Sequence, residues 1–517
     1  MTATLVKHVA QAAVVEPIFS LGQQMRPVPV PVRQKFQLLR GTGTRAVPQS
    51  LPLATQELER LRSMRRPGLT ADDLQYVMTI HGALEAHLVD ELHGCCSMIT
   101  TAGYQDIRSL QTVAFLKTLL DIYCEALAHP PPEWQAGSED GAASFMAVRT
   151  AKAAGMLAMF CWVRSEAAFP IVWQALAAAH ELSSGSADGA EHARSEEALS
   201  AQLFRTLLLL LADPYSMKPM ELVAADYLIA DSLHDMALGS SWANGSVAFD
   251  LALGLPLANW KAEINPRNRV VWLPVSQAAT NMLANEGASM RFACPDLPRV
   301  LAQRWGSFPA HRHSPRMDAF IGSPFICGAL SLVQAAKAST QPGYDRPIKQ
   351  GVRAGILLDY SDTGCRIRLH RTSYLNLSPG VLVGFELPSM RGLSAGVVRW
   401  VKHSSEHHTE AGIRFVAREF EPVPLRLADG RWEGGNLVEF GLLAVGAFGS
   451  LDKTSVEIIL PRNKVPAKGV KALKAVNTGG DFHVQEVLEV GHDFLRIAAR
   501  TQASQSWSTM ELAPFSI

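Results

Sequence analysis

The chain has 517 residues, 48% of them apolar, and its 48 basic residues balance 48 acidic ones to a formal net charge of zero. That length exceeds one ordinary core and predicts two to four domains; the apolar content excludes wholesale disorder, and the charge balance excludes a general polyanion-binding surface. Any anion site has to be local.

The first 50 residues include Arg26-Pro-Val-Pro-Val-Pro-Val-Arg33, whose alternating prolines block helix and central-strand pairing, so 1–50 is expected to be an extended arm. No basic segment followed by an apolar run opens the chain, which predicts that it is not secreted. From 51 to 240 the period is helical. Thr70-Ala-Asp-Asp73 reads as a capping box ahead of Leu74, Val77, Met78, Leu84, Leu88 and Leu92, an apolar stripe at three- and four-residue steps. Leu110 to Leu127, Phe145 to Trp162, Ile171 to Leu182 and Leu199 to Leu211 behave likewise, and Pro219 opens a helix over Met220 to Leu238. A helical bundle is expected. Leu207 to Ala212 is the strongest apolar run, far short of the roughly 20 residues of a membrane span. Prolines blur 241–309, which reads as a connector. After 350 the period approaches two, with strands expected over Ile356 to Asp359, Cys365 to His370, Val381 to Leu387, Gly396 to Val401 and Ala411 to Val416; more β-structure follows in 426–517. No internal repeat is evident. Seven scattered cysteines without a C-x-x-C pair predict reduced thiols in a cytoplasmic setting.

One short turn carries three chemical demands. In Asp359-Tyr-Ser361-Asp-Thr-Gly364 a carboxylate can accept both hydrogens of a guanine Watson–Crick edge, a hydroxyl can donate or accept beside it, and glycine lets the backbone approach a flat ring. The plain alternative is an ordinary β-turn. Upstream, Arg312-His-Ser-Pro-Arg316 offers two guanidinium forks that can grip phosphate, read the guanine acceptor edge or stack on its face. The plain alternative there is a solvated basic linker, since Arg62-Ser-Met-Arg-Arg66 has the same spacing.

An R-x-x-x-R segment, then D-x-S-x-x-G at a strand end, then Gly396-Val-Val-Arg-Trp-Val401 and Ala411-Gly-Ile-Arg-Phe-Val416 as a barrel hairpin resembles a PilZ domain over residues 310–425. The resemblance implies a β-barrel that binds cyclic di-GMP, with Arg312 and Arg316 clamping guanine and phosphate and Asp359, Ser361 and Gly364 forming the opposing surface. About 42 residues separate Arg316 from Asp359, longer than the family's usual gap, and Arg346, Lys349 and Arg353 lie within that interval as alternative clamp residues.

Other constellations are weaker. Gly392-Leu-Ser394-Ala-Gly396 matches a nucleophile elbow but runs into a strand pattern where a hydrolase needs a helix. His403, Glu406, His407 and His408 sit in a hairpin loop poorly suited to metal geometry, and His93 beside Cys95 and Cys96 reads as helix packing. The expectation is a multidomain α+β chain: a helical N-terminal bundle, a PilZ-like antiparallel β-barrel and a β-rich C-terminal segment. It is expected to be a cytoplasmic, non-enzymatic receptor that uses no cofactor or metal, binds cyclic di-GMP and couples it to a protein partner. The alternative is a barrel that has lost nucleotide binding and serves as a protein-interaction module.

Overall fold

The structure, a computed structural model, describes residues 58–501 apart from 66–67, 103–106, 136–139, 185–189, 233–235, 237–244, 252–253, 257–269, 285–293, 307–314, 340–351, 371–376, 388–392, 406, 418, 428–438, 446–454, 463–471 and 476–480. The expected arm at 1–50, Arg312, Arg346, Lys349 and Glu406 therefore lie outside the described residues. The chain falls into two compact units that divide between residues 313 and 314, inside the arginine segment.

The first unit is helical. Its main helices are α1 (Ala71–Ala102), α2 (Ile107–Ala128), the short α3 (Pro132–Gln135), α4 (Asp140–Val163), α5 (Pro170–Ser184), α6 (Ala190–Leu211) and α7 (Pro219–Ser232). The capping box forms as read: Asp73 N–H donates to Thr70 Oγ1 at 3.2 Å, and Thr70 N–H donates back to Asp73 Oδ2 at 3.3 Å. Pro219 opens α7, whose first turn is closed by Lys218 N–H donating to Glu221 Oε2 at 3.0 Å. Helix α4 is the centre, packed on α2, α5 and α6. Its Ala142–Val163 window is long and apolar enough to span a bilayer, and 78% of that window is buried in the bundle, so packing against neighbouring helices accounts for its composition.

The stretch read as a connector folds onto this core. Strands β1 (Val247–Asp250), β2 (Leu255–Pro256) and β3 (Val270–Leu273) form an antiparallel sheet, followed by α8 (Val275–Ala284) and α9 (Leu297–Gly306). Phe249, Val271, Met282, Leu301 and Trp305 join the bundle's apolar cluster, and Trp305 Nε1–H donates to the Leu208 carbonyl at 3.0 Å. Each piece is too short to show a period in the sequence.

One polar cluster runs from the buried His81, Tyr123 and Arg149 out to the half-exposed Glu85 and Lys152. His81 Nδ1 lies 3.1 Å from Tyr123 Oη, while Arg149 and Lys152 donate to the two oxygens of Glu85 at 2.9 and 2.7 Å. Burial, with Arg149 second, pushes the His81 pKa down to about 3 from its usual value near 6.5. The unfolded chain therefore binds a proton that the folded chain refuses, and His81 contributes stability above about pH 6.5 that is lost as pH falls toward 3. Glu85, held below its ordinary range against burial by Lys152 and Arg149, acts in the same direction. The helical unit is thus expected to lose stability steadily from pH 6.5 to 4, and His81→Gln to flatten that slope in far-UV denaturation curves.

The second unit is two closed antiparallel barrels. In the first, β4 (Met317–Cys327), β5 (Val352–Tyr360), β6 (Gly364–His370), β7 (Leu382–Glu386), β8 (Leu393–His403) and β9 (His408–Ala417) neighbour in the order β4-β5-β6-β9-β8-β7. Phe325↔Phe385 pairing closes β7 on β4, and Phe325, Leu357, Ile367, Phe385, Ile413 and Phe415 fill the interior. Helix α10 (Ala329–Ser339) lies between β4 and β5 in sequence, so a strand and a helix occupy much of the long interval between Arg316 and Asp359.

The C-terminal β-segment is itself a barrel. Its strands are β10 (Glu419–Leu427), β11 (Glu439–Val445), β12 (Ser455–Pro461), β13 (Ala472–Ala475), β14 (Asp481–Val490) and β15 (Phe494–Thr501). They neighbour in the order β10-β11-β12-β15-β14-β13, so both barrels share the order first, second, third, sixth, fifth, fourth. The repeat that the sequence hides is a repeat of topology.

An apolar seam joins the barrels: Leu332 and Ala336 of α10 and Val397 and Val416 of the first barrel cluster with Leu442, Ile459 and Phe494 of the second. Asp493, between β14 and β15, accepts from the N–H of Ala329 at 2.5 Å and of Leu382 at 2.9 Å, both in the first barrel's part of the chain. Burial pushes that carboxyl's pKa up and the two N–H bonds pull it back.

Candidate ligand site on the first barrel

Strand register places the site. Because β4 and β5 run antiparallel with Met317 opposite Tyr360, the residue just before β4 faces the turn just after β5. Arg316 and Asp359, 43 positions apart, therefore meet, and the Arg316 guanidinium donates to Asp359 Oδ1. Asp359 is only 5% exposed, and its other oxygen accepts from Arg366 Nε at 2.8 Å. A carboxylate this buried is expected to be held by charge-assisted bonds, and it has one on each oxygen.

The turn itself is tight. Ser361 N–H and Oγ both donate to the Gly364 carbonyl, at 2.7 and 3.2 Å, and Thr363 N–H points at Ser361 Oγ at 3.4 Å. Gly364 pairs with Arg414 on β9, and a Cβ there would run into the Ile413 carbonyl oxygen. Glycine is needed for this strand approach, whatever else sits on it.

The surroundings follow from alternation on β6. Cys365, Ile367 and Leu369 point inward, leaving Arg366 and Arg368 on the outer face, where Arg368 Nη2 donates to Glu410 of β9 at 2.8 Å and Arg366 Nη1 lies 3.7 Å from the same carboxylate. Charges thus alternate from the residue ahead of β4 through β5, β6 and β9 as Arg316, Asp359, Arg366 and Glu410, with Arg368 of β6 as a second partner of Glu410 and the exposed Asp318 and Asp362 alongside. Next to Arg366, Gly412 leaves room for the indole of Trp400, which a Cβ at 412 would strike. On the opposite flank, strand pairing is interrupted by a β-bulge between Asp318 and Ile321, where Phe320 is 71% exposed and Met317, Ile321 and Ile356 are also exposed.

Of the residues named from sequence, Arg316, Asp359, Ser361 and Gly364 are brought together; Arg312 lies outside the described residues. Arg353, an alternative clamp residue, sits instead opposite Phe325, six positions back along β5 from Asp359. In the sequence, Arg366 and Arg368 are signalled only by the alternation of Cys365 to His370, and nothing local signals the bulge at Phe320.

The weaker constellations resolve as packing. Ser394 is buried on β8 opposite Phe385 and is followed by strand where an elbow needs a helix. His403 is buried against Thr409 at 2.7 Å while His407 and His408 are exposed, and among the described residues no group of three or more His, Cys, Asp or Glu side chains is arranged to hold a metal. Cys95 and Cys96 are buried in the bundle, and burial pushes the Cys96 thiol above its usual range. No protein-family model matches the chain, and no curated protein does.

Proposed function

We propose that the chain is a receptor for cyclic di-GMP, with the nucleotide seated on the outer face of the first barrel over Arg316, Asp359 and Arg366. The observation that carries this reading is the meeting of Arg316 with the Asp359–Gly364 turn across 43 positions of sequence, the juxtaposition that the PilZ resemblance requires. A closed six-stranded antiparallel barrel is compatible with that family. Of the three guanidiniums gathered here, Arg366 is the one half-exposed between two carboxylates, and a phosphate can take its fork from those contacts while Asp359 keeps Arg316 oriented. In sequence, the boundary between the two compact units falls within the arginine segment, between residues 313 and 314. Ligand contact with Arg316, next to that boundary in sequence, is then a way to pass occupancy on to the helical unit and to a protein partner, in a cytoplasmic setting and without catalysis.

Isothermal titration of the full chain with cyclic di-GMP tests this. Wild type is expected to bind, and Arg316→Ala and Asp359→Asn each to weaken binding by about 1–3 kcal/mol, the worth of one good base or phosphate contact. Absence of heat from wild type at about 50 μM ligand, where even a weak receptor would respond, defeats the proposal.

A second reading is favoured by the burial of Asp359 with both oxygens bonded: a barrel whose former guanine acceptor now serves only its own arginines, and whose exposed Met317, Phe320 and Ile356 dock a protein. It predicts no nucleotide binding by wild type and full partner capture by Asp359→Asn.

A further inference from the structure

Among the described residues of the barrel, Phe320 is the one large side chain that is both strained and displayed. Its φ of 49° puts a bulky aromatic in the left-handed region, which residues other than glycine and asparagine seldom enter, and its side chain stands 71% exposed. Neither burial nor backbone preference accounts for it. The bulge responsible is placed where strand pairing breaks between Asp318↔Asp359 and Ile321↔Leu357, beside the Arg316–Asp359 pair. Bulges re-aim side chains at barrel rims and sites, and strain held on a surface aromatic is retained where the ring meets something. Counted from the inward-facing Phe325 and Ala319, Phe320 falls on the outer face of β4, and the bulge with its left-handed backbone sets the ring beside the Arg316–Asp359 pair.

We infer that Phe320 is a stacking platform for one purine base of the nucleotide, working beside Arg316, and this rests on the receptor reading above. The chemistry matches on both sides. A purine offers a flat apolar face for a ring and a polar edge for guanidiniums, and Phe320 with Met317 and Ile321 supplies the apolar flank that the charged ladder lacks. The indole of Trp400 closes the far side of the ladder, so a base stacked on Phe320 is held at the β4 flank and its phosphate falls toward Arg366.

Titration of the full chain with cyclic di-GMP, comparing wild type with Phe320→Ala, Phe320→Tyr and Phe320→Gly, tests this. Loss of the ring is expected to weaken binding about tenfold or more, the usual effect of removing one base-stacking aromatic, while Phe320→Tyr stays within about threefold of wild type. Phe320→Gly separates strain from stacking: it is expected to raise the melting temperature and to bind as weakly as Phe320→Ala. Wild type that binds, with Phe320→Ala binding equally well, overturns the stacking role and leaves the receptor standing. Wild type that does not bind overturns both. A melting temperature lowered in Phe320→Gly, with affinity kept, overturns the inference by making the ring structural.

Discussion

Replacement of Arg496 by methionine is expected to destabilise the two-barrel unit by about 3–5 kcal/mol, the cost of leaving a buried carboxylate without its partner. Glu457 is 3% exposed and faces the seam between the barrels on the same side of β12 as Ile459. Arg496 donates to it through Nε at 2.7 Å and Nη2 at 2.6 Å. The same guanidinium lies 3.7 Å from Glu489, which in turn accepts from Arg414 of the first barrel at 2.5 and 2.6 Å. Removing Arg496 leaves Glu457 charged in a place where water cannot reach it. The double variant Arg496→Met with Glu457→Met removes both charges and is expected to recover most of the loss, since apolar groups of similar size replace a buried pair at little cost. Hydrogen exchange of peptides from β12 and β15, read across a urea series, measures both. Equal protection in the single variant and wild type would show the pair to be dispensable.

Gly364→Ala is expected to cost about 3 kcal/mol and, on the proposed receptor function, to remove nucleotide binding together with it. The added carbon meets a carbonyl oxygen of β9, and backbone cannot step aside as a side chain does, so β6 and β9 must part at Gly364↔Arg414. Ser361, whose hydroxyl and N–H both donate to the Gly364 carbonyl, loses its anchor in the same step. Gly355→Ala is the control. There the new carbon meets the end of the Leu369 side chain, which can turn, and about 1 kcal/mol is expected with binding kept. Equal losses in the two variants would mean that the turn does not depend on the close approach.

Much of this architecture was legible in local chemistry. The Thr70/Asp73 box, the α1 stripe and Pro219 specify helix ends and faces within a turn or two, and the strands over Ile356 to Val416 announce themselves by alternation. Arg316 and the Asp359 turn were legible as types of residue; their meeting was not, because it depends on the register of β4. That strand reads poorly: Met317-Asp-Ala-Phe-Ile-Gly-Ser-Pro-Phe-Ile-Cys327 carries a bulge and a proline, which erase its period. The closure of the second barrel was likewise hidden, since β10↔β13 pairing joins Leu425 to Ala475 across fifty positions. The connector failed to read as fold because its core residues, Phe249, Val271, Met282 and Trp305, are spread over segments too short for any periodicity.

Asp493 sets where this chain can be cut. One carboxylate at the tip of the β14–β15 hairpin holds the amide that begins α10 and the amide that begins β7, and His492 N–H donates to the Gly380 carbonyl at 2.7 Å alongside. A fragment ending at Ala417 would keep every strand of the first barrel and lose the acceptor for two of its backbone donors, while Leu332, Val397 and Val416 faced water. The smallest excisable body is therefore the pair, from just before β4 to the end of β15.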